Sequence, residues 1–252
     1  MQSKPSNDMI FAEPAKVTDI GECYFYHTIE LPGHGVMDGE WDLRRGVDDY
    51  VGKVSFAGQR VLEIGPASGF LTFEMEKRGA AVVSVEVTAE HGWDFVPYLT
   101  SKLQEILGPR QIVMQRLKNS YWFAHAAQRS KAQVYYGDVY NLPAALGKFD
   151  IAVMAAVLLH CRDPLKIVEQ CGKMAKSLII VDKFHPELEG APVCRLAPTS
   201  QNFLWHTWWH FSTQFFTQFL AVMGFTVSET LTHEQYHRGK AHTLFTLVSK
   251  KA

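Results

Sequence analysis

Residues 61–69, Val-Leu-Glu-Ile-Gly-Pro-Ala-Ser-Gly, limit the fold more than any other stretch of this chain. A short apolar run carrying one acid leads into a tight loop of small residues. A helix-forming segment from Phe70 to Lys77 follows, then a second apolar run, Ala81–Val85, closed by Glu86. Strand, glycine loop, helix, strand and terminal acid make the first half of a nucleotide-binding βαβ unit.

The loop residues narrow the ligand. Gly65 lets the backbone turn off the strand, and Gly69 lets the helix start pack closely on the sheet. A dinucleotide pyrophosphate needs free backbone N–H groups at the helix start. Pro66 removes one, and Ala67 sets a methyl group where the second fingerprint glycine would stand. S-adenosylmethionine (SAM) carries no phosphate and asks less of such a loop. Its amino-acid end would use Glu63 and loop backbone groups, and Glu86 would accept from both ribose hydroxyls. The alternative for this stretch is a bare tight turn in an α/β protein.

Of the 252 residues, 47% are hydrophobic and 20% charged, which suits one large α/β domain with insertions. No run approaches the ~20 apolar residues of a membrane span. The first residues are polar and predict no secretory leader. Cys23, Cys161, Cys171 and Cys194 are scattered without a C-x-x-C pair, so reduced thiols and a cytoplasmic location are expected. A net charge of −1 gives no footprint for a nucleic-acid partner, although a local patch can hide in a neutral total.

Residues 1–58 carry turn punctuation and aromatics but no long period, and read as an N-terminal cap or lid. The remainder, 59–252, reads as the SAM-binding domain. Strands are expected at Gln59–Ile64, Val82–Val85, Gln133–Tyr136, Phe149–Met154 and Leu178–Val181. Helices are expected at Leu71–Lys77, at Ile112–Gln128 after an irregular stretch broken by Gly108-Pro109, and from Asp163-Pro164 to about Ala175. An insertion rich in Pro, His and Trp covers 183–210. A helix at Thr213–Met223 and two strands, Phe225–Leu231 and Thr243–Ser249, close the chain, the strands as an antiparallel hairpin. The sum is a doubly wound, seven-stranded, mostly parallel sheet of Rossmann-like type, with the cap and an insertion after its fifth strand.

Several segments together resemble class I SAM-dependent methyltransferases, and more narrowly the branch holding the tRNA wobble-uridine carboxymethyltransferases. These are Tyr26-His27-Thr28-Ile29, Gly39–Leu43, Leu62-Glu-Ile-Gly65, Phe73–Ala80, Val139–Leu142, Leu158–Pro164 and Trp208-Trp209, spread over roughly residues 20–225. The resemblance implies the methyltransferase fold and SAM as cofactor. Ala67 stands where many members have Gly, and the wobble-uridine enzymes carry a longer, more basic N-terminal region.

Transfer of a methyl group from SAM needs alignment of nucleophile, methyl and sulfur, and a base where the nucleophile is a hydroxyl. Besides Glu63, Gly65, Pro66, Ala67, Gly69 and Glu86, the cofactor candidates are Asp138 and Val139 after the third strand, and Ala155 and Ala156 after the fourth. A turn role is the alternative for Asp138. His160 is the first candidate base and His27 the rival; a helix-boundary histidine bonded to backbone is the alternative for His160. Tyr26, Trp41, Arg44, Trp208 and Trp209 are candidate acceptor contacts, against lid packing for the tryptophans and a solvated surface for Arg44. His233-Glu234-Gln-Tyr-His237 matches H-E-x-x-H, but falls where a hairpin connection is expected, so no metal is expected. The reading is methylation of O or N on a small-molecule acceptor, with a tRNA-modifying transferase and a non-catalytic SAM-binding protein as rivals. The sequence does not set the oligomeric state.

Overall fold

The computed structural model describes residues 10–88, 94–99 and 101–252; the polar first nine residues and part of the 90–112 stretch lie outside them. In chain order the elements are β1 (Ile29–Leu31), β2 (Gly35–Met37), β3 (Trp41–Asp42), α1 (Val47–Tyr50), β4 (Arg60–Ile64), α2 (Phe70–Lys77), β5 (Ala81–Glu86), α3 (Ser101–Gln128) and β6 (Gln133–Tyr136). There follow β7 (Phe149–Ala155), α4 (Pro164–Met174), β8 (Ala175–Lys183), β9 (Cys194–Leu196), β10 (Trp209–Phe211), α5 (Thr213–Val222), β11 (Phe225–His237) and β12 (Lys240–Lys251).

The main sheet runs β3-β11-β12-β8-β7-β4-β5-β6. From β8 to β6 every pairing is parallel, whereas β12 lies antiparallel between β8 and β11. Side-chain alternation splits the core in two. Val61, Ile151 and Val153 join Phe73 and Met75 of α2 and Tyr121 of α3 on one face. Leu62, Ala152 and Met154 join Ile167 and Val168 of α4 and Phe216 of α5 on the other. Covering both faces is what makes β4, β7 and β8 near-continuous apolar runs. Two helix starts are set by side chains: Asp163 accepts from the Lys166 amide ahead of Pro164, and Ser212 accepts from the Phe215 amide.

Three expectations change. The sheet has eight strands rather than seven, because β3 of the cap pairs with the edge strand β11 at Tyr236↔Asp42 and His237↔Trp41. The last two residues of that open edge are thereby covered. Secondly, α3 begins at Ser101 and runs through Pro109. Proline removes one helical hydrogen bond, but the later turns bury Leu117, Tyr121, Trp122, Phe123 and Ala124 and anchor the whole rod. Thirdly, the final strands are longer than expected and join through Arg238-Gly239, both at positive φ (48° and 76°). A two-residue turn of that conformation matches the twist of a hairpin. His233 and His237 therefore lie on a strand, ~13 Å apart along it, too far to hold one metal. Their rings bond Thr246 and Glu40 instead, and no described cluster of His, Cys, Asp or Glu has metal-holding geometry. All four cysteines are free, and no described helix is long and apolar enough to cross a membrane.

Candidate active site

A cavity of about 940 Å³ opens at the carboxyl ends of the parallel strands, where open α/β sheets place ligands. At one end the β4–α2 loop forms its wall through Gly65 and Ala67. Gly65 (φ 73°) donates its amide to the Val85 carbonyl at 2.9 Å, and Ala67 holds φ 51°. A non-glycine residue in that left-handed region is strained, as is Ala156 (φ 50°) across the cavity. Gly69 plays a packing part. A Cβ there would stand 2.4 Å from the Phe73 ring and 3.0 Å from Tyr121. Pro66 is buried away from the cavity, its carbonyl accepting from the Gly69 amide at 2.8 Å.

Glu86 ends β5 at the same wall. Its Oε1 accepts from the Val87 amide at 2.8 Å, and burial raises its carboxyl above the usual range, with Lys118 and Arg110 opposing. Asp138, Val139, Ala155 and Ala156 complete this end. Both oxygens of Asp138 are engaged by its own turn, one by the Tyr140 amide at 2.8 Å and the other by the Asn141 side chain. That is an Asx-type turn, set on the cavity wall.

Glu63 is placed elsewhere, and this corrects the assignment of the SAM amino-acid end to it. The strand pleat turns its side chain beneath α2, where it is 2% exposed and bonded to Thr72 (2.5 Å) and Ser84 (2.9 Å). Burial pushes its carboxyl up to about 7. It is a satisfied buried acid under the helix, with Ile64 taking the place on the cavity wall.

The other end of the cavity is built by the cap, the insertion and the ends of β8 and β12. Ser68 of the glycine loop accepts both the Tyr26 (3.2 Å) and His27 (3.1 Å) amides, which fixes the cap over the loop. Trp41 donates its indole N–H to the Tyr26 hydroxyl at 3.2 Å and packs against His237 and His242. His27 and His160 both line this end, and burial lowers each imidazole to about 4. Both rings are therefore neutral at neutral pH. His160 Nδ1 lies 2.5 Å from the His206 carbonyl; a carbonyl only accepts, so Nδ1 carries the proton. Nδ1 of His27 is buried with no hydrogen-bond partner among the described residues.

Three expected acceptor contacts fall outside. Arg44 makes a two-point pair with Asp42, at 2.8 and 2.7 Å, on the surface. Trp208 is buried with its N–H on the Asp94 carbonyl and Arg162 over its ring, and Trp209 bonds the Arg162 carbonyl. The insertion does reach the cavity, but through Trp205, His206 and Thr207. Sequence reasoning also missed Arg110, Tyr50, Asp182 and His242, which line the cavity as well. Asp182 carried the same signal as Glu86, an acid closing an apolar strand; Arg110 was hidden by the expectation that Gly108-Pro109 ends regular structure.

No family model and no curated protein sequence matches this chain. Its fold does match solved structures. A SAM-dependent methyltransferase from Methanosarcina mazei superposes with a TM-score of 0.52 at 18% identity, covering 77% of this chain and 92% of that one. The backbone is the class I methyltransferase fold. A SAM-dependent methyltransferase from Aquifex aeolicus gives 0.51 at 16% identity, over 84% and 91% of the two chains. The magnesium protoporphyrin IX methyltransferase of Synechocystis, crystallised with S-adenosylhomocysteine (SAH), gives 0.50 at 14% identity, over 78% and 76%.

Proposed function

We propose that this protein is a SAM-dependent methyltransferase that moves a methyl group to oxygen or nitrogen of a small-molecule acceptor. One observation carries the reading. A single cavity joins the loop–acid wall of Gly65, Ala67 and Glu86 to a second wall of Tyr26, His27, Trp41 and His160. Its volume is near the top of the ~300–1,000 Å³ range for ligand sites, which suits two molecules end to end. Methyltransferases of this fold crystallised with SAM or SAH support the choice of cofactor.

The residues present fit that cofactor. Glu86 would accept from the ribose hydroxyls, the Gly65 and Ala67 backbone would face the amino-acid end, and Val85, Val139 and Leu117 offer apolar surface to the adenine. SAM supplies an electrophilic methyl group on a sulfonium. The chain's own part is to align the acceptor and exclude water, worth several kcal/mol in such reactions. The cap and insertion, which roof the acceptor end, do both. Their aromatic lining favours a compact acceptor over a polynucleotide.

The test is direct. Calorimetric titration with SAM should show saturable binding, and denatured protein should release SAM or SAH into a mass spectrometer. Failure to bind added SAM would sink the reading. Release of carboxy-SAM, together with salt-sensitive tRNA binding, would move it to the wobble-uridine branch. Tight SAM binding without SAH formation across acceptor panels would leave a non-catalytic SAM-binding protein.

A further inference from the structure

Asp182 is the last residue but one of β8, is 3% exposed and lines the cavity at its proposed acceptor end. Oδ1 accepts from the Lys183 amide at 2.7 Å. Oδ2 is buried with no hydrogen-bond partner among the described residues. An orphaned buried acceptor costs ~1–3 kcal/mol and asks for an explanation by ligand or chemistry. The strand pairing beside it, Asp182↔Phe245 and Val181↔Thr246, is made by the backbone and does not use this oxygen.

The surroundings point to what would fill it. Tyr26, Trp41 and Tyr50 line the same cavity and offer flat apolar walls. Resting on the methyltransferase reading above, we propose that the acceptor is an aromatic hydroxyl compound and that Asp182 Oδ2 receives its hydroxyl proton. The acceptor oxygen forms the new O–CH₃ bond, the donor sulfur keeps the electron pair of the broken S–CH₃ bond, and the proton passes to the carboxylate and then to solvent.

The chemistry is matched. A phenolic hydroxyl ionises near ~10, within range of a positioned carboxylate of raised pKa. Burial pushes Asp182 up to about 7, with the Lys183 and Leu159 amides pulling the other way. The titratable groups that feel its charge are Tyr50 on α1, Cys161 after β7 and Cys194 on β9, all raised and so neutral near neutral pH. Lys183, His160 and His242 line the cavity beside them, and burial keeps both imidazoles below the usual histidine range.

Fluorine NMR with two probes tests this, 4-fluorophenol and its methyl-capped analogue 4-fluoroanisole, with and without SAH. At about pH 8 a hydrogen bond to the charged Oδ2 should make the phenol bind about tenfold tighter. At about pH 5.5 the protonated carboxyl donates to either ether or hydroxyl oxygen, so the preference should shrink. Asp182→Asn should abolish the preference at the higher pH with SAM affinity kept. A phenol bound no tighter than the anisole at about pH 8, absence of binding by both included, would overturn the proposal. So would a preference that survives in Asp182→Asn; if that variant fails to fold, the wild-type pH dependence decides. SAM titration of the same samples separates the two ideas. Phenol selectivity without SAM binding would defeat the methyltransferase reading and leave the Asp182 site standing.

Discussion

At the proposed cofactor end of the cavity, Gly65, Ala67 and Glu86 come from one βαβ unit, residues 60–86. At the acceptor end, Tyr26, Trp41, Tyr50, His160, Asp182 and His242 come from distant segments brought together only by the closed fold. The first end is positioned by local geometry. The second depends on a cap sewn to the sheet edge through β3 and to the glycine loop through Ser68. Changes at the two ends should therefore separate cofactor affinity from acceptor handling.

The largest expected effect is at Glu86. On the proposed reading, Glu86→Ala removes two charge-assisted hydrogen bonds to the ribose, about 4 kcal/mol or roughly a thousandfold in SAM affinity. Calorimetry measures it, and wild-type affinity would break the division at its root. Gly69→Ala comes next, with about 3–4 kcal/mol of stability lost. Its new Cβ would press into Phe73 and Tyr121 from a backbone held at φ +90°. Urea unfolding should show the loss; an unchanged midpoint would mean that the helix start shifts freely.

How far the sequence could be read follows the same division. The βαβ unit, the α4 cap at Asp163 and the parallel strands are each encoded within a dozen neighbouring residues, so pattern and chemistry coincide there. Where the sequence misled, the deciding partner was remote. Glu63 stands at a strand end like Glu86, but the pleat sends it to Thr72 and Ser84 beneath α2. Arg44 has the charge for an anion, but Asp42 two residues away already holds it. The paired tryptophans are taken by the Asp94 and Arg162 carbonyls, and the cavity receives their neighbours Trp205 and His206 instead. No period in the sequence reports which of several aromatics in an insertion turns inward.

Glu63 sharpens the comparison through pH. Its folded carboxyl is raised from 4.5 to about 7 by burial. The native state therefore holds a proton that the unfolded chain releases. The stability this gives is complete below about pH 4.5 and is lost as pH rises through about 7. Gln cannot titrate, so the stability of Glu63→Gln relative to wild type should climb by about 3 kcal/mol across that window. His27 and His160 titrate alike in both proteins and cancel from the difference. Denaturant midpoints at several pH values measure the climb. A flat difference would place the carboxylate in contact with cavity water, and the cofactor role first expected of it would return.

The smallest effect tests the seam between the two ends. Ser68 is fully buried, and its hydroxyl oxygen accepts the amides of Tyr26 and His27 at 3.2 and 3.1 Å. Ser68→Ala leaves two cap amides without that acceptor and should cost about 1–2 kcal/mol of stability. The glycine loop keeps its own bonds, Gly65 to Val85 and Gly69 to Pro66, so SAM affinity should stay within about threefold of wild type, under 1 kcal/mol. The cap is less firmly held, and amide exchange across residues 24–28 should quicken. If SAM affinity falls as far as in Glu86→Ala, the cap is part of the cofactor site and the two ends are one. If neither affinity nor exchange changes, β3 on the sheet edge carries the cap by itself.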